Sequence, residues 1–208
     1  MQQRAINTRN AILAAARAEF AAKGYHGARV DAISKQAGVN KQRIYANFHD
    51  KAGLFKAVLR MAFVELAEEE SRFTALTKAD IPHLADHILE TYARIHARHP
   101  EFWRLLAWEN LGGGRHSAAV VGHQNEVLGH LRHLYTQGQK SGHFLQEVPF
   151  EGFLFNLLAV SFFMVSNRAT LKRSIGLDCS RPATRQALRD AVVRQLRATR
   201  PRRRSNES

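Results

Sequence analysis

The nine residues from 40 to 48, Asn-Lys-Gln-Arg-Ile-Tyr-Ala-Asn-Phe, combine side chains suited to reading the edges of DNA bases. If they form a helix, its apolar residues point inward while Gln42, Arg43 and Ala46 lie on the opposite face. Glutamine can bond adenine at two atoms, arginine can bond guanine, and a small alanine lets a helix approach a thymine methyl. This pattern predicts a DNA-reading helix; on these nine residues alone, an ordinary solvated helix face is the alternative.

A second group of residues suits a small-molecule pocket. The segment Glu101–Asn110 holds both tryptophans, Trp103 and Trp108, and aromatic walls with a few polar groups are typical of such pockets. On a helix the two tryptophans cannot share one stripe, and core packing is the alternative for each. Asn156 lies inside an apolar run and needs a hydrogen-bond partner, which a ligand, a backbone group or another subunit can supply.

The eleven histidines raise the question of a metal site. His83 with His87, and His130 with His133, have spacings that share a helix face, and either pair can supply two ligands. No third or fourth ligand is evident in the sequence, so we expect no metal and no other cofactor. The sequence contains no nucleophile elbow, Walker loop or His-Glu-x-x-His motif, and the glycines at 112–114 are better explained as a helix break. These features favour a binding protein over an enzyme.

The residues upstream must position the DNA-reading helix. Val30, Ile33 and Ala37 have the spacing of a short amphipathic helix, and Gly38 begins a turn before the next one. Two short helices joined by a glycine-containing turn make a helix-turn-helix. We predict that Asn40 caps the second helix by accepting a hydrogen bond from an amide of its first turn.

This segment resembles the DNA-binding signature of the TetR family of bacterial repressors. The resemblance spans roughly Arg9 to Leu59. It is carried by Gly24-Tyr25, Ile33, Ala37-Gly38-Val39, Ile44-Tyr45, Phe48, Lys51 and Leu54. It implies an all-α fold in which a three-helix helix-turn-helix head is followed by a helical ligand-binding and dimerisation bundle. It also implies a homodimer formed through the last two helices and a ligand cavity among the middle helices.

Two positions depart from the family pattern. Ala28-Arg29 stands where the family commonly has a threonine before its second helix, so a cap that contributes about 1 kcal/mol is absent. Gly53 stands where the family tends to have glutamate, so we expect Asp50 to cap the fourth helix without the reciprocal half of a capping box. Neither departure touches the outer face of the reading helix.

The candidate site residues form two sets. The predicted DNA contacts are Arg29, Lys41, Gln42, Arg43, Tyr45, Ala46, Asn47, His49 and Lys51. The predicted lining of the ligand cavity is Tyr92, Trp103, Trp108, Asn110 and Asn156. Arg4, Thr8 and Arg9 can also meet phosphates at the start of the first helix, with a frayed terminus as the alternative for Arg4.

The net charge of +13 is unevenly placed along the 208 residues. Residues 1–60 carry eleven Lys or Arg against three acids, residues 61–193 fourteen against fourteen, and residues 194–208 six against one. The excess lies in the predicted head and the last fifteen residues, as expected when the head meets a polyanion. Cys179 is the single cysteine. With no evident signal peptide or membrane span, we expect a cytoplasmic protein.

The spacing of apolar residues predicts helices along the whole chain. Their expected ranges are Thr8–Lys23, Val30–Ala37, Asn40–Phe48, Asp50–Ser71, Ile81–Ile95, Pro100–Leu111, Ser117–Gln139, Phe150 to about Arg173, and Pro182–Thr199. The helix from Phe150 is apolar nearly all round and must be covered on every side. A second copy of the chain can cover it, and so can a central position in its own bundle.

These features predict three segments: a helix-turn-helix head over residues 1–60, a ligand-binding and dimerisation domain over 61–199, and a basic disordered tail over 200–208. The predicted function is ligand-responsive transcriptional regulation by a homodimeric repressor that a small-molecule effector releases from a palindromic double-stranded DNA operator. The alternative is a ligand-independent DNA-binding or architectural protein whose body serves only dimerisation. The helix at residues 50–71 is the predicted connection between head and body.

Overall fold

The computed structural model describes residues 2–116 and 125–198, which fold into α-helices and short 3-10 helices. In chain order the α-helices are α1 (Gln2–Gly27), α2 (Val30–Ala37), α3 (Lys41–Phe48), α4 (Lys51–Glu70), α5 (Leu84–Arg98), α6 (Phe102–Leu111), α7 (Asn125–Lys140), α8 (Phe150–Ser166), α9 (Arg168–Ile175) and α10 (Pro182–Leu196). Two 3-10 helices, Ser71–Ala75 and Lys78–His83, lie between α4 and α5. The predicted all-α fold is confirmed: over the described ranges, β-pairing is limited to an isolated bridge between Phe144 and Arg197.

The described residues form two compact units. Within the described ranges, one is built from residues 2–70 and 95–116, and the other from residues 71–94 and 126–198. The first unit therefore contains α1 to α4 together with α6, and the second contains most of α5 and α7 to α10. The domain boundary expected at residue 60 stays a prediction.

Helices α1 to α4 enclose an apolar core in the first unit. Ile33 of α2 and Ile44 of α3 are fully buried, and Phe48 is 3% exposed. The rings of Phe20 and Phe55, from α1 and α4, meet edge-on with centroids 4.8 Å apart. Because the apolar side of α3 is held in this core, its polar side is turned to solvent, as its sequence predicts.

Helix α1 begins earlier than predicted, and a kink lies at the position where the sequence predicts its end. It spans Gln2–Gly27 rather than Thr8–Lys23. Residues 2–7 contain no helix breaker, and the Gln3 side-chain amide donates to the Asn7 side chain one turn later, at 3.0 Å. The regular helix ends at Gly24 as predicted, since Gly24 has φ 69° and ψ 179°, and a short helical piece continues beyond this kink to Gly27.

The core of the second unit is organised around Tyr135 of α7. Its ring stacks on Phe153 at 4.3 Å and on Phe144 at 5.1 Å between centroids. Its hydroxyl donates to the carbonyl oxygen of Val148 at 2.9 Å. Gly138 lies one turn further along α7, where an added Cβ would come within 2.5 Å of the Phe144 ring. The hydrogen bond of Tyr135 to Val148 and the close approach of Phe144 to Gly138 hold the segment between α7 and α8 against α7.

The helix predicted from Phe150 to about Arg173 is two helices. Its break lies at Asn167, and α8 and α9 are bent by 83° with respect to each other. The Ser166 hydroxyl donates to the carbonyl of Phe162 at 2.9 Å, and the Asn167 amide donates to the Ser166 hydroxyl at 2.8 Å. Serine and asparagine offer the backbone such local alternatives to a continuous helix. In the described part of the chain, no single helix has the length and apolar character needed to cross a bilayer.

Helix α5 begins later than predicted, at Leu84 instead of Ile81. A 3-10 helix that contains Pro82 precedes it. Proline has no amide hydrogen to donate, so it fits the first turn of a helix better than its interior. Thr77 and Asp80 close this turn with a capping box that the hydrophobic pattern did not reveal.

Two predicted helices extend outside the described residues. The helix predicted for Ser117–Gln139 is described only from Asn125, where α7 begins, so Val121 and Gln124 lie outside. The last helix, α10, ends at Leu196. Thr199 and the basic segment 200–208 also lie outside the described residues.

Candidate nucleic-acid interface

Helix α3 presents its polar face to solvent. The Asn40 side-chain oxygen accepts from the Arg43 amide at 2.9 Å, which confirms the predicted cap. Gln42, Arg43 and Ala46 are exposed, and Tyr45 on the flank is 41% exposed. The structure thus brings the four predicted base-reading residues onto one accessible surface.

Arg9, on α1, contacts the carboxyl-terminal end of α3. Its guanidinium lies 4.5 Å from the centroid of the Phe48 ring, and it donates to the Asn47 carbonyl at 3.3 Å. The Asn47 side chain is also engaged, since its amide donates to the Arg43 carbonyl at 2.8 Å. Arg9 is therefore a contact of α3, and because its side chain is also exposed, its role at phosphates stays a prediction.

The turn between α3 and α4 is tight and strained. His49 has φ 65° and ψ −56°, and the Asp50 amide donates to the Phe48 carbonyl at 2.8 Å, which is the geometry of a classic γ-turn. An added Cβ on Gly53 would lie 2.1 Å from that same carbonyl oxygen. The Asp50 carboxylate accepts from the Gly53 amide at 2.6 Å, which confirms the predicted half of a capping box. The departure from the family pattern at Gly53 thus has a steric reason.

Helix α2 begins without a side-chain cap at Arg29, as predicted. The backbone amide of this N-cap residue is held from α1 instead, because the Glu19 carboxylate accepts from the Arg29 amide at 3.1 Å. The same carboxylate oxygen accepts from Lys23 at 2.9 Å. The hydrogen bond from Lys23 lowers the pKa of Glu19 most, and that from the Arg29 amide lowers it further. The sequence analysis did not predict this hydrogen bond between Glu19 and the Arg29 amide. A glutamate next to the apolar face of α1 was the feature that could have indicated it.

Lys51 is half-buried between α4 and the end of α1. Its ammonium donates to the His26 carbonyl at 3.4 Å and lies 5.1 Å from the centroid of the Tyr25 ring. Burial lowers the pKa of Lys51, while the negative charge of Glu19 acts in the opposite direction. Lys51 is thus placed by specific contacts, and its role at phosphates stays a prediction.

The other predicted phosphate ligands are exposed. Arg29 and His49 extend into solvent, and Lys41 forms an ion pair of 2.6 Å with Asp31 of α2. An open groove of about 470 Å³ separates the start of α1 from α3 and is lined by Arg4, Ala5, Thr8, Arg43 and Asn47. Two arginines on one groove beside the reading helix suit an anionic strand.

The predicted ligand-lining residues are divided between the units. Trp103, Trp108 and Asn110 lie on α6 in the first unit, and Tyr92 and Asn156 lie on α5 and α8 in the second. Asn156 is exposed and its amide donates to the Gly152 carbonyl at 2.7 Å, so its own helix backbone supplies a partner. Trp108 lines a cavity in the first unit. The assignment of these five residues to a ligand stays a prediction.

The paired histidines have hydrogen-bond partners within their unit. The ring of His130 lies 2.9 Å from the Leu76 carbonyl oxygen, and that of His133 lies 2.5 Å from the Gln137 side chain. Across residues 2–116 and 125–198, no group of three or more His, Cys, Asp or Glu side chains is arranged to hold a metal ion.

A helix-turn-helix whose second helix exposes a polar face between basic flanks is typical of a DNA-binding protein. Residues 12–58 match the family described as bacterial regulatory proteins, tetR family. Residues 84–195 match the one described as tetracyclin repressor-like, C-terminal domain. The chain belongs to the TetR family of bacterial transcriptional regulators.

Individual relatives agree with this assignment. The HTH-type transcriptional repressor NicS of Pseudomonas putida is 31% identical over 85% of this chain and 84% of that protein. The HTH-type transcriptional repressor SCO4008 of Streptomyces coelicolor is 35% identical over 76% of this chain and 78% of its own length. The crystal structure of the transcriptional regulator SCO4942 from Streptomyces coelicolor superimposes with a TM-score of 0.66 and 30% identity, covering 91% of this chain and 98% of that one. The chain is therefore a DNA-binding transcriptional regulator.

Proposed function

We propose that this regulator is a cytoplasmic homodimeric repressor that a small molecule releases from a palindromic double-stranded DNA operator. The observation that carries this proposal is the exposed face of α3, on which Gln42, Arg43 and Ala46 stand free while Ile44 and Phe48 anchor the helix in the core. Such a helix can enter a major groove without any change in its own packing. The two named repressors among its relatives support repression over activation.

Dimerisation is supported by the apolar surface of α8. Phe155 is 70% exposed and Phe163 52% exposed, which is unusual for large aromatic side chains in a single chain. A groove of about 410 Å³ with wholly apolar walls lies among α8, α9 and α10 and includes Phe163, Leu171 and Leu188. Exposed apolar patches of this kind mark interfaces. We infer that α8 and α10 of two protomers cover each other around a two-fold axis.

A two-fold dimer carries two reading helices. Its best DNA site is then an inverted repeat whose half-sites are about one helical turn, roughly 34 Å, or a multiple of it apart. A ligand in the body releases such a site only if it prefers a conformation in which the two heads no longer match successive major grooves. A body that serves only dimerisation would give the same DNA site without any ligand response.

Selection of bound duplexes from a random pool with the full-length protein tests the proposal. An enriched inverted repeat, followed by loss of the complex with one or more members of a compound panel, is the expected result. Enrichment of a single asymmetric half-site would contradict the dimeric operator. Retention of the complex with every compound would favour the ligand-independent alternative.

A further inference from the structure

An open cavity of about 430 Å³ lies between the end of α1 and the end of α6, inside the first unit. Residues 23–26 form one side, and Trp108, Glu109, Arg115 and His116 contribute to the other. Its volume is within the range of roughly 300–1,000 Å³ that is typical of small-molecule sites. None of the predicted base-reading residues lines it, so it is distinct from the DNA-reading surface.

The indole ring of Trp108 forms a flat wall of this cavity and packs directly on the backbone of Gly24. Trp108 lies against Gly24 so closely that an added Cβ there would be 2.7 Å from the Trp108 Cδ2 atom. The side chain is nevertheless 41% exposed, and Tyr25 adds a second aromatic ring to the lining. Partly exposed aromatic rings in a concave site offer stacking surface to another planar ring.

The hydrogen-bond acceptors near this wall are already engaged. Glu109 is 2% exposed, and its carboxylate accepts from the His116 amide at 2.5 Å and lies 3.0 Å from His116 Nδ1. The amides of Gly112 and Gly114 donate to the carbonyls of Trp108 and Glu109, at 3.0 and 2.9 Å. The Glu109 carboxylate and these two carbonyls are therefore already used in hydrogen bonds within the end of α6 and the turn that follows it.

The cationic side chains of Lys23 and Arg115 both line this cavity, and they differ in their ion pairs. Lys23 is paired with Glu19 at 2.9 Å. Arg115 is exposed and forms no ion pair with another residue in the described part of the chain. A guanidinium that the described residues leave outside an ion pair, beside flat aromatic surface, fits a carboxylate carried on an aromatic ring. We propose that this cavity binds a planar aromatic monocarboxylate, with its ring against Trp108 and its carboxylate at Arg115.

This cavity shares residues with the contacts that hold Lys51. Tyr25 and His26 line it; the Tyr25 ring lies under the Lys51 ammonium, and the His26 carbonyl accepts from it. The rings of Phe55 and His116 also pack around Tyr25, with centroids 5.4 and 4.7 Å from it. An occupant that shifts Tyr25 therefore displaces Lys51 and weakens DNA binding, a consequence that rests on the proposed operator binding.

Benzoate, with benzamide as its neutral isostere, tests the site in the full-length protein. Benzoate should change the tryptophan fluorescence of the wild type and of Trp103→Phe, whereas Trp108→Phe should show no change. Arg115→Gln, an exposed substitution that leaves the fold intact, should weaken benzoate by about ten-fold. Benzamide should bind the wild type about as weakly as benzoate binds Arg115→Gln. A fluorescence response that persists in Trp108→Phe, equal benzoate affinity in Arg115→Gln, or no response of the wild type to benzoate would each overturn the proposal.

The regulatory consequence is measured separately on the operator duplex obtained by selection. Saturating benzoate should lower operator affinity by at least about five-fold, and Lys51→Met should remove that difference. Benzoate binding with unchanged operator affinity would overturn the coupling through Lys51. A protein that binds benzoate as expected but selects no DNA would contradict the proposed function and not the site.

Discussion

At the scale of single residues, we expect Gln42 and Lys51 to have different roles in DNA binding, although both belong to the predicted DNA surface. Gln42 stands free on the outer face of α3, where it can meet only a base edge or water. Lys51 is half-buried and held by the His26 carbonyl, so it can add charge but little base discrimination. We expect Gln42→Ala to relax preference at one operator position by about 1 to 3 kcal/mol, and Lys51→Ala to weaken all sequences alike.

Affinity measured on the operator and on single-base variants separates these two effects. Lys51→Ala should also reduce the slope of log affinity against log salt by about one unit per lost phosphate contact. A change of preferred base in Lys51→Ala, with none in Gln42→Ala, would reverse the assignment.

Arg9 provides a second residue-scale prediction. Its guanidinium lies flat over Phe48 and bonds the Asn47 carbonyl, and a lysine at this position keeps the charge but not that geometry. If Arg9 positions α3, Arg9→Lys should weaken operator binding several-fold with an unchanged salt slope. Binding equal to wild type in Arg9→Lys, with loss only in Arg9→Gln, would indicate a simple phosphate contact.

Glu19 predicts a pH dependence of stability. Its pKa in the folded protein is below the ordinary value of 4.5, chiefly because Lys23 donates to it. A group with a lowered folded pKa contributes stability that is present above its unfolded pKa and is lost as the pH falls through the folded value. The stability advantage of wild type over Glu19→Gln should therefore be full at neutral pH and shrink below about pH 4.5. Thermal unfolding of both proteins between neutral and acidic pH measures this difference, and a constant difference would contradict the hydrogen bonds that Lys23 and the Arg29 amide donate to Glu19.

At the scale of elements, periodicity predicted the helices well and the ends of α2, α3 and α4 to within one residue, but it missed the start of α5 and the break after α8. The apolar stripes of α3, α4 and α5 are buried as their spacing predicts. The break at Asn167 depends on local side-chain hydrogen bonds that an apolar pattern does not contain. The hydrogen bond of Glu19 with the Arg29 amide at the start of α2 and the contact of Arg9 with α3 join different helices, so no local pattern could predict them. The helix-turn-helix itself was predictable because many of its positions are fixed by one tight turn.

The exposed apolar face of α8 gives a prediction at this scale. Leu157 is fully buried in the core of its own unit, so an arginine there tests folding more than assembly. Phe155 is 70% exposed and is the better probe. Phe155→Arg should retain its helical circular dichroism and dissociate into monomers, because a charge placed in an apolar interface is left unpaired.

Val64→Arg is a matched control, because Val64 is another exposed apolar residue, on α4, with 52% exposure. It should keep the wild-type sedimentation coefficient. A dimer of unchanged stability in Phe155→Arg would place the interface elsewhere.

At the scale of the whole molecule, the charge distribution and the family agree on one activity. The basic excess of residues 1–60 lies on the unit that holds the helix-turn-helix, and residues 61–193 are balanced. Any effector that releases the operator must, by linkage, bind more weakly in the presence of that operator, and by the same factor. The operator sequence depends on a few exposed side chains of α3 and not on the fold itself.

The stoichiometry and salt dependence of the complex with the selected duplex test most directly whether two protomers read one operator with α3. Sedimentation of the full-length protein with that duplex should show two protomers on one inverted repeat. Operator affinity should fall linearly with log salt, since several phosphates are neutralised and their counterions released. A complex of one protomer per duplex, or an affinity independent of salt, would contradict a dimeric regulator that reads DNA with α3.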